Sequence, residues 1–440
     1  MGQLDASIVT LTFPALQRSF GASVATVTWV GLTYLLVLVA SVAAVGRLSD
    51  MVGRKLVYTY GFCVFTTGSA LCGFAPTLLS LDGFRVVQAI GAAMLQANSA
   101  AIIYLVLPRK HLSRGIGLQG AAQAAGLAFG PAVGGLLTSL GGWRLVFYVN
   151  VPAGLLGIVA ACLFIPRSRD LAERLALDWP GLALFVPAVG ALMAAVSLVG
   201  TLGLTSPVFL ALAIGAAALL LAFTRRETRA QSPLLEISLL RRRAVVAGLS
   251  SALLSYVVMF GMLLVTPFYL ERALGSTSGH AGLELTVLPL AFGVVATVTG
   301  RISGRIRLWL GTAGMVIAAT GALAVASKPD EQMLLTGLGA IGAGLGLFVP
   351  SNNASVLSSA ARIQAGAISG LLNMTRGLGT ALGLAAAGTL YDLARTPEGG
   401  LRDAMLLIAV AAAAAAVLTF RRESAAGPEP GSRADHRSAT

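Results

Sequence analysis

The chain is short of charge. Only 11% of its 440 residues are Asp, Glu, Lys or Arg, against roughly 25% in a soluble domain. Hydrophobic residues make up 56%, more apolar surface than a soluble protein of this length hides from water. Acid is the scarcer sign, with 18 Asp and Glu against 31 Lys and Arg. The net charge of +13 does not describe a nucleic-acid surface, because the basic residues are spread over many gaps. Cysteine is nearly missing. Cys63, Cys72 and Cys162 are odd in number, far apart and set in apolar stretches, which excludes a disulfide framework and reads as small core residues. There is no Gly-Lys-Ser/Thr phosphate loop, no metal-ligand cluster and no nucleophile triad. An ATP-driven pump or a membrane enzyme has no residues to work with, and no cofactor or metal is expected.

What the chain does have is apolar length. Runs near 4–16, 26–45, 56–75, 84–106, 115–138, 145–165, 179–200, 206–223, 244–270, 283–300, 309–327, 331–354, 365–391 and 402–420 predict fourteen membrane-crossing helices. About 20 apolar residues cross the ~30 Å hydrocarbon layer as a helix. The expected fold is all-α and polytopic, with membrane lipid as its solvent. Trp29, Trp143, Trp179 and Trp309 fall near segment ends, where an interfacial belt is expected.

The basic residues give the orientation. Alternate gaps hold Arg47, Arg54 and Lys55; Arg109, Lys110 and Arg114; Arg167, Arg169 and Arg174; six Arg between 225 and 243; Arg301, Arg305 and Arg307; and Arg362. The opposite gaps hold few. Cytoplasmic loops retain Lys and Arg, so an even count puts both termini in the cytoplasm of a multi-pass protein of the cell's inner (plasma) membrane. The first run offers about half a crossing, which predicts a truncated first helix and a native start upstream of Met1. Residues 421–440 have no apolar period and predict a disordered cytoplasmic tail.

Five motifs carry chemistry. Gly46-Arg47-Leu48-Ser49-Asp50-Met51-Val52-Gly53-Arg54-Lys55 reads as a tight turn between antiparallel helices, with glycines at its ends and Asp50 and Arg54 able to pair. Its first four residues return weakly as Gly300-Arg301-Ile302-Ser303, without the acid. Such recurrence suggests two related bundles. Arg85, Gln88 and Ala92 share one helix face, and an Arg inside an apolar helix costs about 3 kcal/mol by insertion scales and marks function. Gly126, Gly130 and Gly134 form a small-residue face for close packing, with Pro131 bending the helix and Gly135 following. Asp5 lies in Leu4-Asp5-Ala6-Ser7-Ile8-Val9, where it either titrates within the membrane or caps a short helix at the surface. Asn373-Met374-Thr375-Arg376-Gly377 is the fifth. Gln88, Gln119, Gln123, Asn352, Asn373 and Arg376 are candidate cavity-lining residues, with helix-to-helix hydrogen bonding as the other reading.

Together these motifs resemble the major facilitator superfamily, and within it the fourteen-helix drug:proton antiporters. The resemblance covers essentially the whole chain. The Gly-Pro-x-x-Gly-Gly pattern of Gly130 to Gly135 is similar to the superfamily's antiporter signature, and the 46–55 segment to its cytoplasmic loop signature. The first-helix match is partial, because Thr10 and Thr12-Phe13 replace the usual Asn and Ala-Leu.

The resemblance implies an N-terminal six-helix bundle over 1–166, a linker with two inserted helices over 167–230, and a C-terminal six-helix bundle over 231–420. It implies proton-coupled efflux of small amphipathic compounds by alternating access. Asp5 and Arg85 would couple protons, and Gly46, Asp50, Gly53 and Arg54 would latch the bundles on the cytoplasmic side. Glu284 and Asp392 are the next carboxyls in line for the proton. The expected partners are lipid, a small-molecule substrate and protons, with accessory proteins of the periplasm or outer membrane if the cell is Gram-negative. Proton-coupled uptake of a metabolite and a non-transporting sensor are the rival readings.

Overall fold

A computed structural model of the protein describes residues 2–108, 112–166, 178–203, 205–229, 240, 242–300, 302, 305–358 and 365–425. Among them there is no strand. The helices are α1 (Gly2–Thr10), α2 (Phe13–Phe20), α3 (Val24–Val52), α4 (Arg54–Phe74), α5 (Leu78–Val106), α6 (Leu112–Gly141), α7 (Trp143–Tyr148), α8 (Asn150–Phe164), α9 (Trp179–Leu202) and α10 (Pro207–Glu227). They continue as α11 (Arg243–Ala273), α12 (Ser278–Leu285), α13 (Val287–Thr299), α14 (Arg305–Ser327), α15 (Glu331–Ser358), α16 (Ala365–Leu393) and α17 (Pro397–Ala425). Among the described residues, 10 helical stretches are long and apolar enough to cross a membrane. The protein is an all-α, multi-pass membrane protein.

Two groups of helices form. In the first, α3 and α4 pack on α5, α4 also packs on α8, and α1 packs on α6. In the second, α14 packs on α15 and α17, and α11 on α16 and α17. The groups share a packing device. Gly61 on α4 faces Met94 on α5, and Gly314 on α14 faces Leu347 on α15; a Cβ on either glycine would lie 2.8 Å from that partner's Cβ. A Cβ on Gly91 would sit 2.3 Å from the Phe65 backbone, and one on Gly344 2.2 Å from the Gly314 carbonyl. Each position in the second group lies at one constant offset along the chain from its counterpart in the first. The helix contacts thus repeat between the groups, one residue out of step with the four-residue sequence repeat. The groups meet where α3 packs on α16 and α6 on α12. Helix α9 packs on both α3 and α16, and α10 packs on α9.

Several boundaries differ from the sequence expectation. The first segment is helical beyond the predicted apolar run. α1 and α2 run from Gly2 to Phe20, about 28 Å at 1.5 Å per residue, because helix persists through Gln17, Arg18 and Ser19. The break at Leu11 and Thr12 has a cause: Pro14 has no N–H to return to Thr10, and the hydroxyls of Thr10 and Thr12 donate to the carbonyls of Ser7 and Val9. The 46–55 segment is not a loop. α3 continues through Val52 and the reversal is confined to Gly53, whose φ of 114° only glycine adopts readily. Helix α17 reaches Ala425, so residues 421–425 are helical, and the rest of the expected tail lies outside the described residues. Trp143 is not part of a lipid-facing belt. It is buried, packs between Phe20 and Phe147, and donates its Nε1–H to Ser19 Oγ at 3.2 Å. Of the cysteines, Cys72 is buried but Cys162 is exposed.

Candidate functional site

Arg85 is the largest fully buried side chain in the described structure. It stands two turns into α5, capped by a Thr77–Ser80 box that fixes where the helix begins. Its Nη1 donates to Asp5 Oδ2 at 2.7 Å and to Gln88 Oε1 at 2.7 Å, and its Nε donates to the Val30 carbonyl at 3.0 Å. The guanidinium lies 4.0 Å from the Tyr34 ring centroid, a cation–π contact. Asp5 is fully buried. Its Oδ1 accepts from Gln88 Nε2 at 2.9 Å and from Asn150 Nδ2 at 3.0 Å. Ser69 Oγ accepts from the same two amides, at 3.1 Å each, and donates to the Phe147 carbonyl at 2.9 Å. Asp5 therefore does not cap a helix at the surface.

The geometry follows from local sequence. Arg85 and Gln88 are spaced by three on α5 and share a face. Gly68 brings α4 against the Gln88 backbone, where a Cβ would sit at 2.6 Å. Asn150 opens α8, directly after the short α7. The pair is charge-balanced, and buried ion pairs of this kind are costly mainly when one partner is removed, by about 3–5 kcal/mol.

This network borders a cavity of about 10 Å³, room for about one water. Thr10, Tyr34 and Arg85 line it from the first group of helices, and Phe260, Thr380 and Leu384 from the second. A buried ion pair thus sits at the seam between the two groups. A second pocket of about 240 Å³ lies toward the basic end, lined by Phe185 of α9, Leu249 and Leu253 of α11, and Met374 and Leu378 of α16.

The glycine face of α6 has two jobs. Gly126, Gly130 and Gly134 pack on α1; a Cβ on Gly130 would lie 1.8 Å from Ser7 Oγ, and one on Gly134 2.8 Å from the Ile8 carbonyl. Gly135 points instead at α12, where a Cβ would meet the Ser278 carbonyl at 2.5 Å and Gly282 Cα at 2.9 Å. The Pro131 carbonyl would lie 2.6 Å from a Cβ on Gly282. At the same end Arg18 pairs with Glu271, and Arg272 donates to Gln17. These contacts close the end opposite the basic loops.

Residues 46–54 make local contacts within the first group. Gly46 lies near Ala97. Ser49 is buried, donates to the Val45 carbonyl at 2.7 Å and accepts from Asn98 Nδ2 at 2.8 Å. Gly53 makes the reversal and Arg54 opens α4; the Asp50 side chain lies outside the described residues. Gln88, Gln119, Asn352, Asn373 and Arg376 do not line either pocket. Gln119 donates to Ser99 Oγ at 2.7 Å, Asn352 donates to the Gly248 carbonyl and accepts from Arg422, and Asn373 accepts from Arg376. Gln88 belongs to the Asp5 network, and the Gln123 side chain lies outside the described residues. Sequence reading missed Asn150, Ser69 and Tyr34. A polar residue at the start of an apolar run was the one available signal, at Asn150.

The family model described as Major Facilitator Superfamily matches residues 1–384 and again 272–439. The multidrug resistance protein Stp of Mycobacterium tuberculosis is 31% identical over 392 residues, 88% of this chain and 73% of the relative. The riboflavin transporter RibZ of Clostridioides difficile is 29% identical over 389 residues, 88% of this chain and 84% of the relative. Among solved structures, a bacterial homolog of the human lysosomal transporter Spinster superposes with a TM-score of 0.68 at 16% identity, covering 96% of this chain and 94% of that one.

Proposed function

The chain belongs to the Major Facilitator Superfamily, and from that premise we propose that it is a fourteen-helix exporter driven by inward proton movement. The single observation that carries this reading is the fully buried Asp5–Arg85 pair at the seam between the helix groups. In this reading α1 to α8 form one six-helix bundle, α9 and α10 are the inserted crossings, and α11 to α17 form the second bundle. The basic end faces the cytoplasm with both termini, in the cell's inner membrane.

Coupling follows from an exchange of partners at Asp5, whose carboxylate is held by Arg85, Gln88 and Asn150. Arg85 lines the seam cavity, so separating the bundles on one side changes what solvates the pair. Protonation of Asp5 releases Arg85, and return of Arg85 expels the proton on the other side. An inward proton gains about 2.3 kcal/mol per 100 mV before any pH gradient. Substrate competes for the unprotonated state, which makes the exchange antiport. Relatives named for multidrug resistance support export of small amphipathic compounds.

The riboflavin-transporting relative favours a second reading, proton-coupled movement of a small metabolite. Efflux assayed in everted vesicles with and without a pH gradient separates the two. Wild type should accumulate drug on a pH gradient. Asp5→Asn should abolish that accumulation and keep substrate binding. Native-rate uphill transport by Asp5→Asn places the proton site elsewhere and removes this mechanism.

A further inference from the structure

Away from the Asp5 network, the fold brings three ligating side chains together that the sequence keeps apart. His280 and Glu284 are four residues apart on α12 and so share a face; His280 Nε2 lies 2.7 Å from Glu284 Oε1. Glu331 opens α15. One nitrogen or oxygen from each of the three lies within 4.8 Å of the others. Glu284 is only 7% exposed. Neither of its buried carboxylate oxygens has a hydrogen-bond partner in the described structure, and the ion-pair contact it does have is to His280, another member of the cluster. Two carboxylates and an imidazole therefore converge on one point, with a buried acceptor left unsatisfied. Buried carboxylate oxygens without partners are costly, and native structures rarely leave them so.

We propose that His280, Glu284 and Glu331 bind a divalent transition-metal ion of the zinc class. Zinc takes imidazole nitrogen and carboxylate oxygen at about 2.0–2.2 Å, so tetrahedral ligand atoms stand about 3.4 Å apart. For this, His280 Nε2 and Glu284 Oε1, now 2.7 Å apart, would open by about 0.7 Å, and the widest separation in the cluster would close by up to about 1.4 Å. His280 and Glu331 are exposed and have the freedom to do it. A histidine beside two carboxylates suits zinc better than calcium or magnesium, which take all-oxygen shells. The ion would join α12 to α15. Helix α12 is also the one that meets α6 at Gly282 and Gly135, so metal would stiffen the closed end. The site stands independently of the transport reading, which supplies only the side from which the ion enters.

The test uses the full chain in detergent without a polyhistidine tag, stripped with chelator and titrated with Zn²⁺ by calorimetry, alongside thermal unfolding. One ion per chain should bind, with a metal-dependent rise in the unfolding midpoint. His280→Ala, Glu284→Gln and Glu331→Gln should each weaken binding at least about tenfold. Glu331 is exposed at a helix start, so its variant keeps the test open if Glu284→Gln fails to fold. Unchanged zinc binding in His280→Ala and Glu331→Gln overturns the proposal. So does binding that is lost instead in His111→Ala or His436→Ala, equal binding of Ca²⁺ or Mg²⁺, or no binding at all.

Discussion

The two helix groups share a frame and differ in what fills it. Gly61, Gly68 and Gly91 recur as Gly314, Gly321 and Gly344, and each sits at a close approach between neighbouring helices. At the same offset, Arg85 becomes Leu338 and Gln88 becomes Ile341, both fully buried. One half thus carries a buried arginine and an amide where the other carries hydrocarbon. Glycine spacing sets the geometry in both, since lipid offers little drive for apolar helices to associate and close contact must supply it. The polar network's cost in a membrane is tolerated in one half alone, which separates what holds the helices from what works the protein.

The largest test of the shared frame is to fill it. Gly91→Leu and Gly344→Leu should both abolish recovery of folded protein, because the new side chain meets backbone at 2.3 Å and 2.2 Å and backbone does not yield as a side-chain tip does. Size-exclusion profiles in detergent measure this, and tolerance of one but not the other would break the equivalence of the halves. The next test addresses the difference. Arg85→Ala should stop pH-driven transport and leave Asp5 unpaired, at about 3–5 kcal/mol. Leu338→Ala should lower stability by about 2–5 kcal/mol yet keep coupled transport per folded molecule. Thermal melts and vesicle assays together decide it, and loss of coupling in Leu338→Ala would show that both halves do the work.

Smaller effects sharpen the contact between the halves. Arg18 is 61% exposed where it meets Glu271, so a double-mutant cycle of Arg18→Ala and Glu271→Gln should give a coupling below about 1 kcal/mol. A larger value would make this pair, rather than the glycines beside it, the main closure. The smallest effect lies at the entry to α15. Asp330 accepts from the Met333 N–H at 2.7 Å and pairs with Lys328. The Lys328 hydrogen bond, then the Met333 N–H, hold its carboxyl below the ordinary value. Its stabilising contribution is therefore present above that ordinary value and fades as acid titrates through the lowered one. Asp330→Ala should produce a slight fall in melting temperature at neutral pH that vanishes in strong acid.

Much of this was legible in the sequence. An Arg in an apolar run and an Asp in the first segment announced a buried pair, because hydrocarbon leaves a charge few alternatives to a partner. The α6 glycines announced close packing through their four-residue spacing. Neither signal named the other side of the contact: that Gly134 meets Ile8 while Gly135 meets Gly282 depends on where α1 and α12 come to rest. The polar residues left two readings open for a related reason. Asn352 and Gln119 satisfy helix-to-helix hydrogen bonds, and a one-dimensional pattern does not distinguish these from a cavity wall. The turn before Arg54 was misplaced because Gly46 looked like a helix end, whereas only Gly53 takes the left-handed backbone. His280 and Glu284 carried a visible four-residue spacing, but Glu331 reaches them only through the fold.

The meeting of Gly135 with Gly282 has a mechanical consequence. Two helices that touch backbone to backbone part without any side chain having to leave a socket or search for a new rotamer. The joint works as a plain bearing: smooth, shallow and without teeth. Its release is gradual, so the abruptness of any opening must come from charged neighbours at its rim. One methyl group at Gly135 would meet the Ser278 carbonyl at 2.5 Å and wedge the joint apart.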